Sequence, residues 1–230
     1  MIAASADPIA FWDGIPADAR WHPADRLVLE RSPHSLKLCA LPNPFFGPLA
    51  TAPVALLYLN PAFNDEHERD AGCPEKHAYY LRQRSGNGLL PTSSDLKSTH
   101  DWLAGKIAQF GRASDERFAP DQLRDRLAVV NLCAYRSVSF SDRHMLAALP
   151  SSRVILDWAQ ATLFPQAERE ERVVICLRAA KYWGLGGDKM RGHLFAPDTN
   201  RSGMMTHGAE RKQVVAHVRA ALNLPPLSDL

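Results

Sequence analysis

Cysteine is sparse in this 230-residue chain: Cys39, Cys73, Cys133 and Cys176, with no two arranged as Cys-x-x-Cys. That spacing argues against zinc and iron–sulfur ligation. Cys133 and Cys176 lie in apolar runs, where a reduced thiol packs as a small hydrophobe. Long hydrophobic runs are missing as well. None approaches the roughly 18–20 residues of a membrane-spanning helix. Met1–Asp7 has no basic segment followed by an apolar one, so no secretory signal is expected. A cytoplasmic location without a membrane partner is therefore the expectation. Also missing are the G-x-S-x-G elbow, the Walker loop, the G-x-G-x-x-G fingerprint and the H-E-x-x-H pair. The run Asp65, Glu66, His67, Glu68 and Asp70 carries metal-ligand types, but a solvated helix start explains it better, because a site needs converging ligands. No metal and no cofactor is expected.

What is present is ordinary globular composition, 46% hydrophobic and 23% charged, which excludes a disordered chain. The length suits one substantial core, and no repeat or linker interrupts it. We expect a single α/β domain over residues 1–230. Residues 1–40, broken by Pro8, Pro16, Pro23 and Pro33, should form an N-terminal arm packed on it. A net charge of +2 and a pI near 8.4 permit nucleic-acid binding without arguing for it, since a local basic face matters more than the total.

Apolar periodicity places the elements. Val54–Asn60 is a continuous apolar run bounded by Pro53 and Pro61, as a parallel strand covered on both faces requires. Leu127–Cys133 and Val173–Leu177 read as further strands, and His193–Ala196 as a weaker fourth. Between them, helices are expected over Pro74–Gln83, from Ser98 or Thr99 through Phe110, from Ser151 to about Glu170, and over Ala209–Leu222 with Thr206 as a cap. Leu41–Pro53 reads as an irregular loop. Alternating strands and helices predict a three-layer α/β/α fold around a mainly parallel four-stranded sheet. In such sheets ligands sit beyond the carboxyl ends of the strands.

That rule selects the candidates. Asn60 ends the first strand against Pro61, where an amide can hold a water through its oxygen and another group through its NH2; a plain turn also accounts for it. Asn131 sits inside an apolar run, so it either braces a loop or faces a pocket. Tyr135 on the following loop can stack on a planar ligand and Arg136 can meet phosphate, and each also suits ordinary surface. Arg178 ends the third strand and can bind charge or pair with a carboxylate. Arg201 and His207, in the polar segment before the last helix, are candidates for binding charge or moving a proton.

On these residues the chain resembles the uracil-DNA glycosylase superfamily. Tyr58-Leu-Asn-Pro-Ala62 is similar to the G-(L/I/M)-N-P-G motif of the mismatch-specific and single-strand-selective branches, with tyrosine and alanine in place of the glycines. The resemblance implies that Asn60 positions the water attacking the sugar C1′, that Phe63 beside Pro61 stacks on the base, and that Asn131 in Val130-Asn-Leu132 reads the base edge. It departs at the second motif. Where the family carries H-P-S-P or a relative, this chain has Ala196-Pro-Asp-Thr-Asn-Arg201, so alanine replaces the histidine and Arg201 or His207 must supply positive charge. The implied substrate is DNA, single- or double-stranded, with a target base flipped into a pocket and excised by N-glycosidic hydrolysis. The missing histidine equally suits a catalytically silent nucleic-acid or nucleotide binder of the same fold. A small-molecule enzyme using the same strand-end pocket is a third reading.

Overall fold

The computed structural model describes residues 7–111 and 118–227. Its strands, in chain order, are β1 (Phe45–Phe46), β2 (Val54–Tyr58), β3 (Leu127–Asn131), β4 (Val173–Cys176), β5 (Met190–Arg191) and β6 (Leu194–Phe195). They form one sheet in the order β1-β3-β2-β4-β6-β5. The central four, β3-β2-β4-β6, run parallel. The outer two are antiparallel two-residue strands, so the sheet has six strands rather than the expected four. The additional strands escape sequence reading because two residues carry no period. Phe45–Phe46 gains its extended form by pairing with Val129 and Val130, inside what reads as a loop.

The apolar runs are covered on both faces. Val54, Leu56 and Tyr58 of β2 point to one side with Leu127, Val129, Val173 and Ile175. Ala55 and Leu57 point to the other with Val130, Val174 and Cys176. This is the period-2 alternation of a strand with both sets apolar.

The helices are α1 (Pro8–Trp12), α2 (Arg26–Arg31), α3 (Asp65–Ala71), α4 (Pro74–Arg84), α5 (Lys97–Ile107), α6 (Arg143–Ala148), α7 (Pro150–Trp158), α8 (Phe164–Glu168) and α9 (Ala209–Ala221). Leu103 and Ile107 of α5 and Val214, Val215 and Val218 of α9 cover the first face. Ile155 and Trp158 of α7 and Phe164 and Ala167 of α8 cover the second. The helix expected from Ser151 to Glu170 does change character near Pro165. A π-helical segment, Ala159–Leu163, separates α7 from α8, and Pro165 falls in the first turn of α8, where a missing N–H is tolerated. Ser98 and Thr99 lie in the first turn of α5, and the cap position falls on Leu96 without a side-chain bond. Thr206 does not cap α9 either. Gly208 takes that position, and the Thr206 hydroxyl donates instead to Asp198 O.

The described part of the N-terminal arm is packed. Trp12 is fully buried in the second core, and Arg84 donates to Pro16 O and Ala19 O. Residues 1–6 of the expected arm, and with them most of the segment read for a secretory signal, lie outside the described residues. No helix among the described residues is long and apolar enough to cross a membrane.

The sheet order locates the ligand crevice. The chain leaves β2 for β3 on one side and returns to β4 on the other. The carboxyl ends of β2 and β4 therefore flank a topological switch point, where open parallel sheets bind ligands.

Candidate functional site

A cavity of about 540 Å³ opens at these strand ends, lined by the loop after β2, the loop after β3, the start of α5, Arg178 after β4 and the Arg201–Ser202 segment. Its floor is held by pairing that outlasts the strands. Leu132 N donates to Tyr58 O at 3.0 Å and Cys133 N to Leu59 O at 2.8 Å. Phe63 N then donates to Ser137 O at 3.0 Å, and Ala62 bridges Ser137 in parallel register. The two loops thus leave the sheet as a zipped pair, which fixes the side chains they carry.

Asn60 is the most constrained of these. Its Nδ2 donates to Ser137 Oγ at 2.8 Å, Pro61 O at 3.0 Å and Tyr135 O at 3.3 Å. Two of the three are carbonyls, which only accept, so the amide cannot be reversed without facing oxygen to oxygen. The orientation leaves Oδ1 as an acceptor with no protein partner among the described residues, in the cavity wall. Asn131, opposite Tyr58 in the sheet register, is braced likewise. Its Nδ2 donates to Asn43 O at 2.8 Å and its backbone N to Pro44 O at 2.8 Å, so it is both a brace and a cavity residue. Asn43 itself lines the cavity.

Aromatic rings supply the walls. Trp102 packs edge-on to Tyr58 with centroids 4.9 Å apart, and to Phe46 at 6.4 Å. Phe63 lines the mouth with the Lys37 ammonium 5.8 Å from its ring centre. The hydroxyls of Tyr58 and Thr99 and the Asn43 Oδ1 are buried without a partner.

The charge is of one sign. Arg136, Arg178 and Arg201 line the cavity, and among the described residues no carboxylate does. Arg136 is buried, donating to Ala62 O at 2.8 Å. Burial and the neighbouring Arg178 charge hold the Lys106 ammonium below its ordinary pKa. Lys106 donates to Ser202 O, and Gly203, at φ +78°, lets this loop close on Tyr58 and Arg178, where a Cβ would stand 3.3 Å from each.

His67 belongs to this wall too, at 4% exposure. Its Nδ1 accepts Asn64 N–H at 3.0 Å while Asn64 Oδ1 accepts His67 N–H at 3.3 Å, a reciprocal cap that starts α3. Burial, reinforced by Arg136, pushes its pKa down to about 3. The ring is therefore neutral with its proton on Nε2, and Nε2–H is a donor without a protein partner among the described residues.

Of the residues singled out from sequence, the cavity gathers Asn60, Pro61, Phe63, Asn131, Arg136, Arg178 and Arg201. Two are corrected. Tyr135 does not face the cavity: it is 1% exposed, packed with Leu29, Leu36 and Met145 under the N-terminal arm, and its hydroxyl donates to Asp25. Its ring has no free face for stacking. His207 lies outside the cavity lining, exposed at the start of the last helix, where its Nδ1 is 3.0 Å from Arg211 Nη1. Sequence reading missed Asn43, Phe46, Trp102 and the cavity role of His67. A usable signal existed for Asn43, whose Asn-Pro pair repeats the Asn60-Pro61 dipeptide. His67 was masked by the acidic residues around it, two of which, Asp65 and Glu68, are indeed exposed. Among the described residues no group of three or more His, Cys, Asp or Glu side chains converges as a metal site.

Comparison with protein-family models, curated proteins and solved structures gives no match to this chain.

Proposed function

We propose that this protein is uracil-DNA-glycosylase-like in fold and site, and that the strand-end cavity receives a base from DNA and releases it by hydrolysis of the N-glycosidic bond. The observation that carries the reading is Asn60: three acceptors pin its NH2, leaving its oxygen open in the wall of a cavity that also holds a braced asparagine amide and aromatic rings. An amide edge can pair with a base edge, so Asn131 is the reader and Phe63 the stacking face. Asn60 Oδ1 accepts a hydrogen bond from the water whose oxygen adds to C1′. As the C1′–N bond breaks, its electron pair leaves with the base, which takes up a proton while the water loses one to solvent. The sugar is oxocarbenium-like at that point and needs little base assistance, so orientation supplies much of the effect. His67 Nε2–H donates a hydrogen bond to the base where negative charge develops, a task for which His207 is misplaced. The three arginines favour the phosphates of the strand.

The second reading is a silent nucleotide or nucleic-acid binder. Ala196 at the family's histidine position and a lining without carboxylates among the described residues favour it. A base-release assay separates the two, using uracil-, hypoxanthine- and mismatch-containing oligonucleotides in single- and double-stranded form. Free base supports excision; binding of the oligonucleotides without release, from folded protein, selects the silent binder.

A further inference from the structure

A second cavity, about 410 Å³, lies at the opposite end of the strands. Arg172 immediately precedes β4, and Leu49 lies a few residues before β2; both line it together with Trp158 and Thr162 of the α7–π segment and Gln166 of α8. Arg172 is only 6% exposed. Its Nη2 donates to Leu49 O at 2.8 Å, and its Nε is buried without a partner. No carboxylate among the described residues lies within ion-pair distance of it. Asp7, at the rim, is exposed and accepts from Ile9 N at 2.9 Å. Burial alone pushes the guanidinium down to about 10, with no compensating charge, so it stays protonated.

Buried charges in proteins are paired, because an unpaired one forfeits its hydration without return. One hydrogen bond to Leu49 O does not account for a full charge here, since a neutral donor could make it at lower cost. We propose that this cavity is a binding site for a small organic carboxylate, with Arg172 as its charge partner. A guanidinium presents paired N–H donors that match a carboxylate's two oxygens, and among the described residues the only Arg172 bond is the one from Nη2 to Leu49 O. Trp158 and the aliphatic lining fit an apolar body, and Gln166 adds a polar contact. A single cation suits a monoanion. The site shares no residue with the strand-end cavity, so it stands independently of the excision reading.

The test is titration of the full chain with benzoate, benzamide as its uncharged counterpart, and inorganic phosphate. It is followed by the shift of the Trp158 indole N–H in NMR and by the thermal midpoint. Benzoate is expected to saturate at millimolar concentration, raising the midpoint with the logarithm of concentration, while benzamide binds at least about tenfold more weakly. Arg172→Met should abolish the difference between the two. Ala50→Phe, at an exposed lining position, should block the site in a protein that keeps Arg172 and its fold. Equal response to benzoate and benzamide, a response to phosphate alone, or no saturable response overturns the proposal.

Discussion

The Tyr135 hydroxyl donates to the carboxylate of Asp25 at 2.5 Å, tying the loop after β3 to the N-terminal arm at a point closed to solvent. The same hydroxyl accepts His22 N–H at 3.2 Å, and the other Asp25 oxygen accepts Ser151 N–H at 2.9 Å. Burial first, then the Asp25 charge, raises the phenol well above its ordinary pKa, so it stays a donor. Tyr135→Phe deprives both Asp25 and His22 of a partner inside the protein. The expected cost is about 1–3 kcal/mol, read from the urea midpoint. Ligand affinity at the strand-end cavity should change little, because the ring does not reach it. A stacking role would give the reverse: large loss of affinity at unchanged stability.

The neutral state of His67 sets a pH dependence. Its folded pKa, about 3, lies below the ordinary 6.5, so between those values the unfolded chain binds a proton that the folded chain refuses. The stability associated with this group is complete above the unfolded pKa and is lost as pH falls through the acid range, by about 1.4 kcal/mol per pH unit. His67→Gln keeps an acceptor for Asn64 N–H but does not titrate. Chemical denaturation at a series of pH values should show a shallower acid loss for this variant than for the wild type. Parallel curves would mean that His67 is protonated in the fold.

Arg201 is exposed while its loop is pinned, with Asn200 Oδ1 accepting from Ser202 N at 2.9 Å and Met204 N at 3.1 Å. Arg201→Gln therefore removes a charge without disturbing the turn. If the cavity serves a nucleic-acid strand, affinity should fall alike for every sequence, and the slope of log K against log salt should drop by about one. Fluorescence anisotropy at several salt concentrations reads both. Unchanged affinity and slope would place the strand elsewhere.

The parallel core was legible because β2, β3 and β4 are buried on both faces, and such strands write themselves as unbroken apolar runs. Two-residue strands such as Phe45–Phe46 exist only through their partners and leave no period to read. Asn60 and Asn131 were legible for a related reason: a polar amide at or inside an apolar run must be satisfied or used. Tyr135 was misread because its partner, Asp25, lies 110 residues away in sequence. His67 was hidden because its burial comes from α3 turning one face of an otherwise charged run toward the cavity. The burial of Arg172 likewise depends on Leu49, 123 residues distant.

The most direct measurement is single-turnover base release from a uracil-containing oligonucleotide, single- and double-stranded, by wild type and Asn60→Ala, with dissociation constants taken on the same samples. If Asn60 orients the attacking water, the wild type releases free base. The variant should then be slower by about a hundredfold or more, the scale of losing one oriented transition-state contact, with Kd within about threefold because the loss falls on the transition state. Equal rates in the two proteins, or no release from folded wild type on either strand form, would contradict this role for Asn60.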